Sequence, residues 1–194
     1  MSILSKDNTL IDLVKVYKKA IPDTLCKNII SRGEETEWKK HNWHTYQKSN
    51  LLRPDQDKEL LRKYDIGNLS KLEITPIINE YIQKYINEVS RPYKFNIGGI
   101  SIINLNKYEL GTEMLVHHDH IYSLFNGTVK GIPIFSIVGL LNNDFEGGEF
   151  VLWTDEVVKL EAGDILIFPS CFAYPHRVKT ITKGTRYSIV CWAH

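Results

Sequence analysis

The chain has 194 residues, with 24 Lys+Arg against 23 Asp+Glu, a net charge of +1 and 43% hydrophobic residues. That is enough for one domain with a sizeable core, and a near-neutral balance without a dense basic run argues against duplex nucleic acid as a partner. Three cysteines without CxxC spacing, Cys26, Cys171 and Cys191, argue against a disulfide framework or a structural zinc site, and buried thiols are expected. No window approaches 18 uninterrupted apolar residues, and the opening MSILSKDNTLIDLV lacks the basic start and apolar segment of a signal peptide. A cytoplasmic protein without membrane contact is the expectation; oligomeric state is left open.

In chain order, PDTLCKNIISRGEETEW predicts a helix that starts at Pro22 and Asp23 and places Leu25, Ile29 and Ile30 on one face. The stretch from 41 to 69 is polar, broken by Pro54 and Gly67, and reads as loop with a short strand. Ile74, Ile77, Ile78, Tyr81, Ile82, Tyr85 and Ile86 then follow helical three-and-four spacing, with Thr75 as cap and Pro76 at the first position. Residues 1–94 are therefore expected to be a helical and strand support region, part of the same domain as a core at 95–194.

From about residue 95 the texture changes to eight short apolar or alternating runs: FNIGGISIINL, EMLVHHD, IPIFSIVGLL, GEFVLW, EVVKL, DILIFP, HRVKTI and RYSIVCW. Turn residues separate them, and no helical pattern intervenes. Such a series implies an antiparallel sandwich or jelly roll, so the fold class is α+β. The longer gap at 120–131, with Gly127 and Gly131, suits a lid or substrate loop as well as an ordinary surface loop.

Within EMLVHHDHIY, strand alternation puts His117 and Asp119 on one face and His118 and His120 on the other. A non-haem iron site needs two histidines and one carboxylate around open positions. The pair 117/119 supplies two of the three, and His176, opening the strand in YPHRVKTITKGTRYSIVCW, offers the third. Arg186 and Ser188 share a face of the last strand and together suit a carboxylate, through a planar fork and a hydroxyl. A cupin-like module in which His118, His120 and His176 hold a metal, or none, is the competing arrangement.

Four segments in order resemble the 2-oxoglutarate and Fe(II)-dependent dioxygenases, in their prolyl 4-hydroxylase-like branch: YELGTEMLVHHD, LLNNDFEGGEFVL, LEAGDILIFPS and HRVKTITKGTRYSIVCW. The resemblance covers residues 98–194 and implies a double-stranded β-helix, or jelly roll, with N-terminal helices packed on the sheet. It implies Fe(II) on His117, Asp119 and His176, the distal carboxylate of 2-oxoglutarate on Arg186, and Tyr108 and Ser188 lining the same pocket. It also implies O2 as cosubstrate, leaves room for ascorbate, and leaves His118 and His120 pointing away from the metal. The implied reaction hydroxylates a C–H bond, with a peptidyl proline the first choice of substrate and another amino acid or a small molecule the alternative. A same-fold enzyme acting on nucleic acid is disfavoured, because Trp192 stands where a second arginine would follow Arg186 by six residues. Met114, Leu140 and Arg186 itself depart from the pattern of the collagen-type enzymes. EGGE at 146–149 reads as a turn entering a strand, Asp164 as a hairpin-turn residue, Trp153 and Trp192 as core aromatics that border the pocket, and His41, His44 and His194 as solvated or locally bonded.

Overall fold

The computed structural model describes residues 10–41, 43–44, 51–52, 60–63, 67–89, 96–119 and 132–194. A 3-10 turn at Leu10–Leu13 leads to β1 (Lys15–Tyr17) and helix α1 (Asp23–Glu34). Four short strands follow, β2 (Lys39–Lys40), β3 (Trp43–His44), β4 (Leu51–Leu52) and β5 (Leu61–Lys63), and then the long helix α2 (Gly67–Val89). The described elements of the second half are strands: β6 (Asn104–Tyr108), β7 (Met114–His117), β8 (Phe135–Leu140), β9 (Phe145–Gly147), β10 (Phe150–Leu152), β11 (Glu156–Val158), β12 (Ile165–Pro169), β13 (His176–Val178), β14 (Ile181–Gly184) and β15 (Arg186–Ala193).

The major sheet has the order β1-β12-β8-β15-β6-β5-β2 and faces a four-stranded sheet, β11-β10-β13-β7. This is the expected double-stranded β-helix, built from antiparallel pairs throughout. The central strands of the major sheet are buried on both faces, so each side chain set has its own core. Along β15, Ile189, Cys191 and Ala193 pack toward the helices with Ile74, Ile78, Ile82 and Tyr85 of α2 and Leu25 and Ile29 of α1. Val190 and the half-buried Trp192 pack inward with Val138, Phe150, Phe168 and Val178. Each apolar group is worth roughly 1.5–3 kcal/mol when packed, and a one-residue slip would exchange the two fitted sets and turn Arg186 and Ser188 into the apolar core under the helices. A β-carbon on Gly33 of α1 would stand 2.5 Å from Leu105 Cδ2, so glycine lets that helix close on β6.

Several expectations on secondary structure are corrected. Helix α2 begins at Gly67, so Pro76 lies inside it and Thr75 is no cap. Proline inside a helix costs about 3 kcal/mol through a lost hydrogen bond and a ring clash, and the burial of Ile74, Ile78, Ile82 and Tyr85 against the sheet offsets it. The run HRVKTI divides between β13 and β14, which belong to different sheets, and β9, partner of β14, was not foreseen. The first apolar run becomes strand only at its end, in β6, while Ile100 makes a single bridge to Ala193. Strands β1, β2 and β5 of the first half join the major sheet, where periodicity gives no sign of such short pieces. Cys26 and Cys191 are buried as expected, whereas Cys171 is half-buried. His41 is buried at 7% exposure, which leaves the locally bonded of its two expected states. Among the described residues no helix is long and apolar enough to cross a membrane.

Candidate metal centre and anion pocket

Antiparallel pairing of β7 with β13 sets His117 directly opposite His176, with ring centroids 4.3 Å apart. Asp119, two residues beyond His117, turns back over the same face. Its Oδ1 lies 3.4 Å from His117 Nε2 and its Oδ2 lies 3.6 Å from His176 Nε2. One ligand atom from each of the three residues falls within 4.8 Å of the others, and this is the group of that kind found among the described residues. His118 is outside it, and His120 lies outside the described residues.

The protonation of the two rings tests whether a cation suits this site. His117 Nδ1 is 2.8 Å from the Leu115 carbonyl oxygen, and His176 Nδ1 is 3.1 Å from that of Tyr174. A carbonyl can only accept, so each Nδ1 donates to its carbonyl and turns its Nε2 toward the shared point. Two ring nitrogens and a carboxylate thus converge on one place, a donor set of the kind that holds a cation. Two imidazoles and one carboxylate fit Fe(II), and the backbone carbonyls fix the rings from behind.

Burial pushes His176 down to about 4, opposed by the Asp119 charge and reinforced by His117. Its ring is stacked on Phe150 at 5.3 Å and meets Phe168 edge-on at 4.9 Å, which fixes its plane. Burial alone would raise Asp119; the His176 and His117 rings and a hydrogen bond from Ser136 outweigh it and hold the carboxyl well below the ordinary carboxylate range.

Arg186 is 1% exposed on the same inner face. Its Nη1 donates to Ser188 Oγ at 2.9 Å, as the shared face predicts, and its guanidinium carbon stands 5.0 Å from the Tyr108 ring centre and 6.0 Å from that of Phe145. Tyr108 comes from β6 directly across the ladder from Arg186. Gly148, at φ +65°, keeps this packing possible, since a β-carbon there would stand 3.1 Å from Arg186 Cδ and run into Ile181. The guanidinium makes no salt bridge with any described carboxylate, and its Nε has no hydrogen-bond partner among the described residues. Burial disfavours its charged form and lowers its pKa. A buried cation without a counter-charge is costly by several kcal/mol, so the site calls for an anion. A cavity of about 320 Å³ borders Arg186 and Gly148, with Leu140, Phe145 and Phe150 in its wall.

The other singled-out residues are structural. Asp164 is fully buried in its turn and accepts from Lys18 Nζ at 2.8 Å, the Lys19 amide at 3.0 Å and the Glu161 amide at 2.8 Å. Glu146 and Glu149 are exposed at the β9–β10 turn. Trp153 Nε1 donates to the Ala173 carbonyl oxygen at 2.8 Å, and Trp153 and Trp192 pack against the inner core. Sequence reasoning missed Ser136, Phe145, Phe150 and Phe168; the signal available for Ser136 was a lone hydroxyl in the apolar run IPIFSIVGLL.

Residues 103–194 match the family model described as the 2OG-Fe(II) oxygenase superfamily. The second half of the chain is thus similar to this superfamily. Among similar proteins, a PKHD-type hydroxylase of Idiomarina loihiensis is 34% identical over 110 residues, covering 55% of this chain and 46% of that protein. A PKHD-type hydroxylase of Methylobacterium nodulans is 28% identical over 143 residues, covering 65% of this chain and 59% of that protein. The chain thus spans about half the length of these relatives. A prolyl hydroxylase from Trichoplax adhaerens, solved with a hypoxia inducible factor oxygen degradation domain peptide fragment, superposes with a TM-score of 0.68 at 16% identity, covering 94% of this chain and 83% of that one. At that identity the likeness speaks for the oxygenase fold alone.

Proposed function

We propose that this chain is an Fe(II)- and 2-oxoglutarate-dependent dioxygenase that hydroxylates a C–H bond of a prolyl residue within a peptide, with 2-oxoglutarate decarboxylated to succinate. The observation that carries the reading is the convergence of His117, Asp119 and His176 on the inner face that also buries Arg186 without a carboxylate partner among the described residues. His117, Asp119 and His176 would hold Fe(II), and bound iron with its cosubstrates supplies the oxidising chemistry. Arg186 would take the distal carboxylate of 2-oxoglutarate through its fork, with its position fixed by Ser188 and by the Tyr108 ring beneath it. The apolar walls around the His176 ring keep water from the reacting face. A neutral His176 ring and an ionised Asp119 keep these two donors ready at neutral pH.

The prolyl substrate is supported by two likenesses: PKHD-type hydroxylases among the sequence relatives and a prolyl hydroxylase with a bound peptide among the structures of the same fold. The segment 120–131, expected to suit a lid or substrate loop, lies outside the described residues. The test is to incubate the iron-loaded protein with 2-oxoglutarate and a panel of proline-containing peptides, free amino acids and small molecules, and to follow succinate release and mass. A peptide that stimulates succinate formation above the uncoupled rate and gains one oxygen on proline is the expected result. Stimulation by free small molecules alone would end the peptidyl reading and leave the oxygenase one standing.

A further inference from the structure

Ser136 is fully buried in β8, the one hydroxyl between Phe135 and Ile137, and the reaction as described gives it no task. Its Oγ donates to Asp119 Oδ2 at 2.6 Å and lies 2.8 Å from Oγ of Ser170, itself 1% exposed. A hydroxyl has one proton and an ionised carboxylate can only accept. The Ser136 proton is therefore committed to Asp119, and Ser170 must be the donor in the bond between the two serines. The backbone pins Ser170 in turn, its amide donating to the Ile134 carbonyl oxygen at 2.9 Å. On the sheet, Ser136 stands between Phe168 of β12 and Trp192 of β15 in register, so the relay runs through apolar surroundings, where a hydrogen bond to a charged acceptor is strong.

We propose that Ser136, backed by Ser170, is a positioning residue for the metal carboxylate: it occupies Oδ2 and presents Oδ1 as the single donor atom, so that Asp119 takes one coordination position and not two. The inference rests on the reading of His117, Asp119 and His176 as metal ligands. Its consequence is a matter of counting. Three protein ligands on an octahedral ion leave three positions, a chelating 2-oxo acid uses two, and O2 needs the third. A carboxylate that swung round to bind through both oxygens would close one of them. The relay also ties the ligand to the major sheet, whereas both histidines stand on the minor one.

The test uses Co(II) alone as probe on the full chain, by calorimetric titration and by the ligand-field absorption of the bound ion. Ser136→Ala and Ser136→Cys, which remove the strong donor, should weaken Co(II) binding by about 10–100-fold, as loss of an outer hydrogen-bond partner typically does, and should change the intensity of the absorption bands. Ser136→Thr should restore both readouts, and Ser170→Ala should fall between. The cysteine variant preserves the volume of the site and decides the matter if the alanine variant does not fold. Wild-type affinity with an unchanged spectrum in the cysteine variant, while His117→Ala has lost Co(II), would overturn the role of Ser136 and leave the metal centre standing. Undiminished Co(II) binding in His117→Ala would remove the metal centre itself, and the inference with it.

Discussion

His176 is clasped by two phenylalanine rings and kept neutral down to about 4 by burial, against an ordinary value of 6.5. Between those two values the unfolded chain binds a proton at this ring that the folded chain refuses, so stability falls as pH falls across that window and levels off below it. Thermal unfolding of the metal-free protein followed from pH 7 to pH 4 should show that decline, and His176→Phe should flatten it. The ligand assignment has its own signature. His117→Ala, Asp119→Ala and His176→Ala should each abolish 2-oxoglutarate turnover and weaken iron binding, because each removes one of three protein ligands, while His118→Ala should bind iron as the parent does. Iron titration of the four variants decides it, and loss at 118 with retention at 117 would move the site to the other face. Arg186→Ala should raise the KM for 2-oxoglutarate by one to several orders of magnitude with iron binding intact, since truncating a buried charge partner typically costs about 2–5 kcal/mol. Arg186→Lys should be milder, because an ammonium keeps the charge but not the fork.

At the scale of elements, the turn before β12 is held by one carboxylate. Asp164 joins the Lys18–Lys19 bend after β1 to its own hairpin, accepting from two backbone amides and one ammonium. Burial alone would raise its pKa; the hydrogen bonds from Lys18, Lys19 and Glu161 outweigh it and lower the carboxyl below its ordinary 3.8. Its contribution is therefore present above that value and lost as pH falls through the lower folded one. Asp164→Ala would remove two amide hydrogen bonds to a charged acceptor, worth about 1.5–3 kcal/mol each. With about 2–4 °C lost per kcal/mol in a chain of this size, the unfolding midpoint should fall by at least about 4 °C, and the Fe(II) affinity measured on the folded fraction should stay unchanged.

At the scale of the molecule, the metal centre is a seam between sheets. His117 and His176 belong to β7 and β13 of the minor sheet, and Asp119 is bonded to Ser136 of the major one. A divalent cation held there binds the folded state and not the unfolded chain, so Co(II) at 100 times its dissociation constant should add about 2.7 kcal/mol of stability, and a chelator should remove it. Calorimetric scans with and without Co(II), repeated on Asp119→Ala, check this; an equal shift in the variant would place the ion elsewhere. The sequence alone was enough for the pairing of His117 with Asp119 and the shared face of Arg186 and Ser188, because strand alternation is a short-range rule that needs no partner, whereas His176 as third member came through the resemblance of its motif. The strand pattern was enough for an antiparallel sandwich or jelly roll, and the motif order carried by the resemblance chose the jelly roll. The tertiary structure alone decided that Pro76 sits inside α2, that HRVKTI divides between two sheets, that β1 and β5 extend the major sheet, and that Ser136 reaches Asp119. Each depends on contacts between residues far apart in the chain, Ser136 and Ser170 being 34 positions apart, and no local pattern encodes such a distance. Pairing energy between strands, supplied only once the sheet closes, overrides what short segments prefer by themselves.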